Sequence, residues 1–107
     1  MKMSKNQNRI SEADLTIPAL RVVRDTPKGQ ITTTNLIAGL RKIMTLSPGD
    51  EELLEGRNDD HFSQIVRNIK SHKGTPGNLL AEGYLENVGD GFKITDAGRR
   101  YLESKRL

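Results

Sequence analysis

The sequence predicts a single small α+β domain, mainly helical, with a short three-stranded antiparallel sheet. The chain has 107 residues, which is enough for one compact domain. Apolar residues recur with the helical period of about 3.6 in several segments. Towards the C-terminus, two short alternating segments flank a glycine-rich turn, a pattern typical of a β-hairpin. Helices therefore account for most of the fold, and a hairpin with one further strand accounts for the sheet.

Composition excludes several classes of protein. Because the chain has no cysteine, it has no disulfides and no thiolate for zinc, iron–sulfur or nucleophilic chemistry. No apolar run reaches the about 18 residues that indicate a membrane span, and the polar N-terminus lacks the apolar core of a signal peptide. We therefore expect a cytoplasmic protein. The net charge of +3 favours a polyanionic partner only weakly.

The domain is expected to occupy residues 15–107. Residues 1–14 are polar and aperiodic and predict a flexible N-terminal arm. Charge is segregated along the rest of the chain, because residues 50–60 are strongly acidic whereas residues 61–77 contain basic side chains and no acid. We therefore expect separate basic and acidic surfaces.

The first half of the domain predicts two helices and a brief strand. Thr16 is a suitable N-cap for the first helix, which ends at the turn residues 25–29. Residues 30–32 have strand character, and a second helix begins near Thr33 with Thr32 as its cap. Its apolar stripe comprises Leu36, Ile37, Leu40, Ile43 and Met44. This stripe predicts a helix packed on the core. Residues 50–55 are compatible with a further acidic helical turn.

A third helix is predicted from about 59 to 72, with Asn58 or Asp59 as its cap. Its apolar stripe comprises Phe62, Ile65, Val66 and Ile69. At about 100° per residue, the opposite direction passes through Asp60, Gln64, Arg67 and Ser71, with Ser63 and Asn68 beside it. The outward face of this helix is therefore rich in groups that donate and accept hydrogen bonds.

The remaining residues predict a hairpin followed by a last helix. Residues 73–77 break the third helix, residues 78–82 form a short turn, and Gly83 is a natural stop. Residues 84–88 and 92–94 are the two strands, joined by residues 89–91. Thr95 caps the last helix, whose inward residues are Ala97, Tyr101 and Leu102.

This order of elements resembles the winged-helix variant of the helix-turn-helix over about residues 16–103. The most specific signals are Gly83-Tyr84-Leu85 at the helix-to-strand junction and the segment 92–102. Residues 62–72 are also similar to the recognition helix of winged-helix modules of restriction endonucleases, including the N-terminal domain of Mrr-type restriction proteins. The resemblance implies double-stranded DNA as the partner, in a restriction system or in transcription regulation, with a nuclease domain or subunit as a further partner.

The chemistry of the third helix favours DNA independently of this resemblance. A helix fits the major groove, where Arg reads guanine and Asn or Gln reads adenine. The predicted base contacts are Gln64, Arg67, Asn68 and Ser71. The predicted phosphate contacts are Lys70, His72, Lys73 and, in the hairpin, Lys93. The same residue types also form ordinary solvated helix surfaces. Arg41 and Lys42 are secondary candidates for phosphate contact, although cations are also favoured at a helix C-terminus.

The sequence contains no indication of catalysis, of a cofactor or of a metal site. His61 and His72 would lie about 16 Å apart on one helix and could not share an ion. The other hypothesis is a protein-interaction module that uses the acidic residues 50–60 and the wing. Asp90 at the wing tip would repel phosphate, so the wing is expected mainly to support the fold. The target sequence, any methylation preference, the oligomeric state and the choice among a repressor, a restriction specificity module and a nuclease fragment remain open.

Overall fold

A computed structural model of the protein describes residues 10–46 and 60–105. In chain order the elements are an N-terminal 3₁₀ helix (Glu12–Leu15), α1 (Thr16–Arg24), a second 3₁₀ helix (Pro27–Gly29), β1 (Gln30–Thr32), α2 (Thr33–Ile43), α3 (His61–Ser71), β2 (Leu85–Val88), β3 (Gly91–Ile94) and α4 (Asp96–Ser104). The predicted α+β class, with mainly helical content, is confirmed.

Side-chain caps fix where three helices begin. Thr32 accepts a hydrogen bond from the Asn35 N–H at 3.1 Å, and Thr95 accepts one from the Gly98 N–H at 3.0 Å, as predicted. The cap of α3 is Asp60, not Asn58 or Asp59, and it accepts from the Ser63 N–H at 2.8 Å. The third helix is therefore shorter than the predicted 59–72 and begins at His61.

The three-stranded antiparallel sheet is also confirmed. Its strand order is β1-β3-β2, with Phe92 at the centre between Ile31 and Asn87. The hairpin turn contains two residues, Gly89 and Asp90, and not the predicted three. Gly91 belongs to β3, where it pairs with Thr32 and Val88, and the position favours glycine because a side chain there would collide with the Ile31 carbonyl oxygen.

The core lies between the helices and the inner face of the sheet. Its fully enclosed side chains include Leu20 and Val23 of α1, Leu36 and Leu40 of α2, Phe62 and Val66 of α3, and Phe92 of β3. The predicted stripe of α2 is correct except at its end. Ile43 is 55% exposed, because it is the last residue of α2, and Met44 lies just beyond the helix and is half-buried.

The segment before α1 differs from its prediction. The sequence predicts a flexible arm that includes residues 10–14, yet the Ser11 N–H donates to Asp14 Oδ2 at 2.9 Å and the following Leu15 is fully buried. This local bond and the apolar anchor hold the chain against the domain, and α1 follows the 3₁₀ helix without a break. Thr16 is consequently the first residue of α1 and not its cap. Residues 1–9, 47–59 and 106–107 lie outside the described residues, and with them the predicted helical turn 50–55 and all of the acidic segment 50–60 except Asp60.

Across residues 10–46 and 60–105, no helix combines the length and the apolar character needed to cross a membrane.

Candidate nucleic-acid interface

The N-terminal end of α3 is fixed to α2 by an ion pair. Arg41 Nη2 donates to Asp60 Oδ2 at 2.6 Å and to Ser63 Oγ at 3.0 Å. The same guanidinium lies 5.2 Å from the centre of the Phe62 ring. Burial acts to raise the pKa of Asp60, but the hydrogen bonds from Ser63 and Arg41 outweigh it and hold the pKa below its ordinary value. The side chain of Arg41 is thus engaged within the fold.

The polar face of α3 carries the predicted base contacts, but it is partly enclosed. Gln64, Arg67 and Asn68 are all half-buried, whereas Ser71 is exposed. Gln64 Nε2 donates to Asn68 Oδ1 at 2.8 Å, so two of the predicted base contacts are joined in one amide pair. Arg67 differs most from the expectation of an outward-pointing side chain, because its Nη1 atom is buried. Ser71 is therefore the most accessible of the four predicted base contacts, and the other three are partly enclosed.

The four predicted phosphate contacts fall into two groups. Lys70 Nζ donates to the Gly89 carbonyl at 2.9 Å, and His72 Nδ1 lies 2.7 Å from Glu12 Oε1. Both side chains thus interact within the molecule. Lys73 and Lys93 are exposed, and within the described part of the chain neither makes a side-chain hydrogen bond or ion pair. Two of the four predicted cations are therefore engaged by other groups of the protein, and the other two are exposed.

Lys93 lies on the outer face of the sheet, in the middle of the central strand. Its neighbours across the strands are Gln30 on β1 and Glu86 on β2. All three side chains are exposed. Lys93 thus belongs to a mixed polar surface and is next to an acidic residue.

Sequence reasoning missed Asn78, which organises the C-terminal end of α3. This buried side chain donates through Nδ2 to the Ile69 carbonyl at 2.9 Å and to Glu12 Oε2 at 3.0 Å. Its Oδ1 accepts the Leu80 N–H at 2.7 Å. The local signal was an asparagine before a turn, a common capping arrangement. Its two distant partners had no local signal.

The hairpin turn is bonded to both neighbouring helices. The Asp90 carbonyl accepts the Thr33 N–H at 2.9 Å and the Thr33 hydroxyl at 2.8 Å, while the Gly89 carbonyl accepts Lys70. Both turn residues are exposed. These contacts tie the hairpin turn to α2 and α3, and they leave an acidic residue, Asp90, at its tip.

Within the described ranges, no three histidine, aspartate or glutamate side chains converge as ligands for a metal ion. Comparisons with protein-family models, curated proteins and solved structures gave no match.

Proposed function

We propose that this protein is a winged-helix domain that binds double-stranded DNA through α3 and selects among base sequences or base modifications. The order of elements supports the proposal, because in the described ranges three α-helices with a strand between the first two are followed by a hairpin and a fourth α-helix. In such domains the third helix enters the major groove. The proposed role is that of a specificity module in a restriction system or of a transcriptional regulator.

The observation that carries the proposal is the amide pair on α3. Gln64, Asn68 and Ser71 follow one another at intervals of four and three residues, so they form one stripe along the helix. The Gln64–Asn68 bond occupies one lone pair of the Asn68 oxygen and leaves the second lone pair as an acceptor and the amide nitrogen as a donor. A positioned amide beside a hydroxyl is suited to the edge of an adenine, where carboxamides form paired hydrogen bonds.

The bond between the two amides also lowers the conformational entropy that these side chains lose when they bind a base. A long side chain that is already held in one rotamer loses less conformational freedom when it binds. Half-burial of Gln64 and Asn68 on the helix surface restricts them further. We therefore expect this face to discriminate between bases.

The test begins with selection from a random duplex pool, prepared with and without methylated bases. For the preferred duplex, Asn68→Ala should weaken binding by about 5- to 150-fold, the equivalent of about 1–3 kcal/mol for one lost paired contact. Binding to a mixed-sequence duplex should change much less. Asn87→Ala removes the same side chain from an exposed position on β2 and serves as the matched control.

Two outcomes would contradict the proposal. The first is a wild-type protein that enriches no duplex at low salt, which would favour a protein partner. The second is an Asn68→Ala variant that retains the wild-type preference in full.

A further inference from the structure

We propose that the hairpin turn, Gly89 and Asp90, is a clamp that fixes the orientation of α3 relative to α2, and that Lys70 is a positioning residue for the DNA-binding face. This inference rests on the proposed function and assigns Lys70 a role other than phosphate contact. Its basis is that two consecutive carbonyl oxygens of one short turn hold the beginning of one helix and the end of another.

On the α3 side, the clamp consists of a single lysine in the last helical turn. Lys70 Nζ donates to the Gly89 carbonyl at 2.9 Å and lies 5.2 Å from the centre of the Phe92 ring. Phe92 is fully buried in the central strand, so the ring beneath the ammonium is itself fixed. A cation held between a carbonyl oxygen and an aromatic face has little freedom to reach a phosphate.

On the α2 side, Thr33 supplies two bonds to the same turn. Its backbone N–H and its hydroxyl both donate to the Asp90 carbonyl, at 2.9 and 2.8 Å. The first N–H groups of a helix have no partner within the helix, and here the turn provides one. Thr33 also follows β1 directly, and β1 pairs with β3 along its whole length.

The two sides of the clamp are therefore unequal. The turn is joined to α2 both through the sheet and through Thr33, whereas among the described residues its hydrogen bond to α3 comes from the Lys70 ammonium alone. The Arg41–Asp60 pair and Asn78 still hold the two ends of α3, so loss of the ammonium should let the helix shift in angle relative to the turn without unfolding the domain. Hydrogen bonds to base edges depend strongly on the angle of α3, whereas electrostatic attraction to the phosphates depends on it much less.

The experiment compares Lys70→Met, which removes the ammonium but keeps an apolar stem, with Lys70→Arg, which retains a donor. Lys73→Met is the matched control, because it removes the same charge from an exposed residue without a side-chain bond in the described chain. Affinity for the preferred duplex and for a mixed-sequence duplex is measured between about 50 and 200 mM salt.

Lys70→Met should lower the affinity for the preferred duplex by about tenfold, an effect in the range of one charged hydrogen bond. It should leave mixed-sequence binding and the salt slope unchanged, and Lys70→Arg should restore the preference. Lys73→Met should weaken both duplexes alike and make the salt slope shallower by about one. A Lys70→Met variant with a shallower slope and an intact preference would identify a phosphate contact and overturn the proposal, as would a variant identical to wild type.

Amide hydrogen exchange tests the clamp without DNA. The Thr33 N–H is protected by the Asp90 carbonyl, so it reports directly on opening of the turn. It should exchange faster in Lys70→Met than in Lys73→Met, and a Thr33→Val variant, which lacks the hydroxyl, should also exchange faster than wild type. If no duplex binds to the wild-type protein, the proposed function fails, and equal exchange in all these proteins would separately overturn the clamp.

Discussion

Asp60 combines two roles at the beginning of α3. One carboxylate oxygen caps the helix through the Ser63 N–H, and the other accepts Arg41. Burial acts to raise the pKa of this carboxyl, but the hydrogen bonds lower it below the ordinary value of 3.8. Because the folded-state pKa is lowered, the stabilisation is complete above the unfolded pKa and is lost as the pH falls through the folded pKa.

Asp60→Asn should separate the stabilisation due to helix capping from that due to the negative charge. Asparagine caps helices about as well as aspartate, so the substitution chiefly removes the ionic part of the Arg41 contact. At neutral pH we expect a loss of about 1–2 kcal/mol in the free energy of unfolding. The difference from wild type should shrink as the pH falls below about 4, because Asp60 takes up a proton first in the unfolded chain and then, at a lower pH, in the folded protein.

Thermal unfolding followed from pH 7 downwards measures this difference. Asp25→Asn is the control, since Asp25 is 65% exposed in its pair with Arg24 and exposed pairs contribute little. A difference between wild type and Asp60→Asn that stayed constant at every pH would contradict the assigned ionic contribution.

Among the elements, the C-terminal end of α3 depends on Asn78. This residue joins the Ile69 carbonyl, the N-terminal 3₁₀ helix and the turn that leads to β2. Asn78→Ala would leave the Ile69 carbonyl and the Leu80 N–H without their side-chain partner. We expect a loss of about 2–4 kcal/mol, because buried polar groups that lose their partners are costly.

Denaturant unfolding of Asn78→Ala measures the loss, with Asn87→Ala on exposed β2 as the control. Hydrogen exchange should locate the damage, with faster exchange at the Leu80 and Ala81 amides, which donate to Asn78 Oδ1. A variant as stable as wild type, with unchanged exchange at both amides, would show that Asn78 does not organise this region.

Elements with a local signal were predicted well, and contacts between distant residues were not. The Thr32 and Thr95 caps and the hairpin depend on residues a few positions apart, so short stretches of sequence are enough to predict them. The pairing of Glu12 with His72 joins residues 60 positions apart, and Lys70 reaches a carbonyl 19 positions away. Such pairs form only when the helices pack, which is why two of the four cations predicted to contact phosphate, Lys70 and His72, are engaged within the molecule instead.

For the whole molecule, the charges on the described surface determine how strongly salt should affect DNA binding. Of the predicted phosphate contacts, Lys70 and His72 interact with the turn and with Glu12, while Lys73 and Lys93 have no side-chain partner within residues 10–46 and 60–105. Asp90 adds an exposed carboxylate at the hairpin tip. Few counterions should therefore be released from the duplex on binding.

We accordingly expect a shallow salt dependence, with log K falling against log salt at a slope of about −2 to −3. Between about 50 and 200 mM salt this corresponds to a loss of about 15- to 60-fold in affinity. Fluorescence anisotropy titrations of a labelled duplex measure it. Lys73→Met and Lys93→Met should each make the slope shallower by about one, whereas Lys105→Met, beside Tyr101 at the end of α4, should not change it. A slope steeper than about −5 would contradict this account, since binding would then depend on more cations than the predicted phosphate contacts supply.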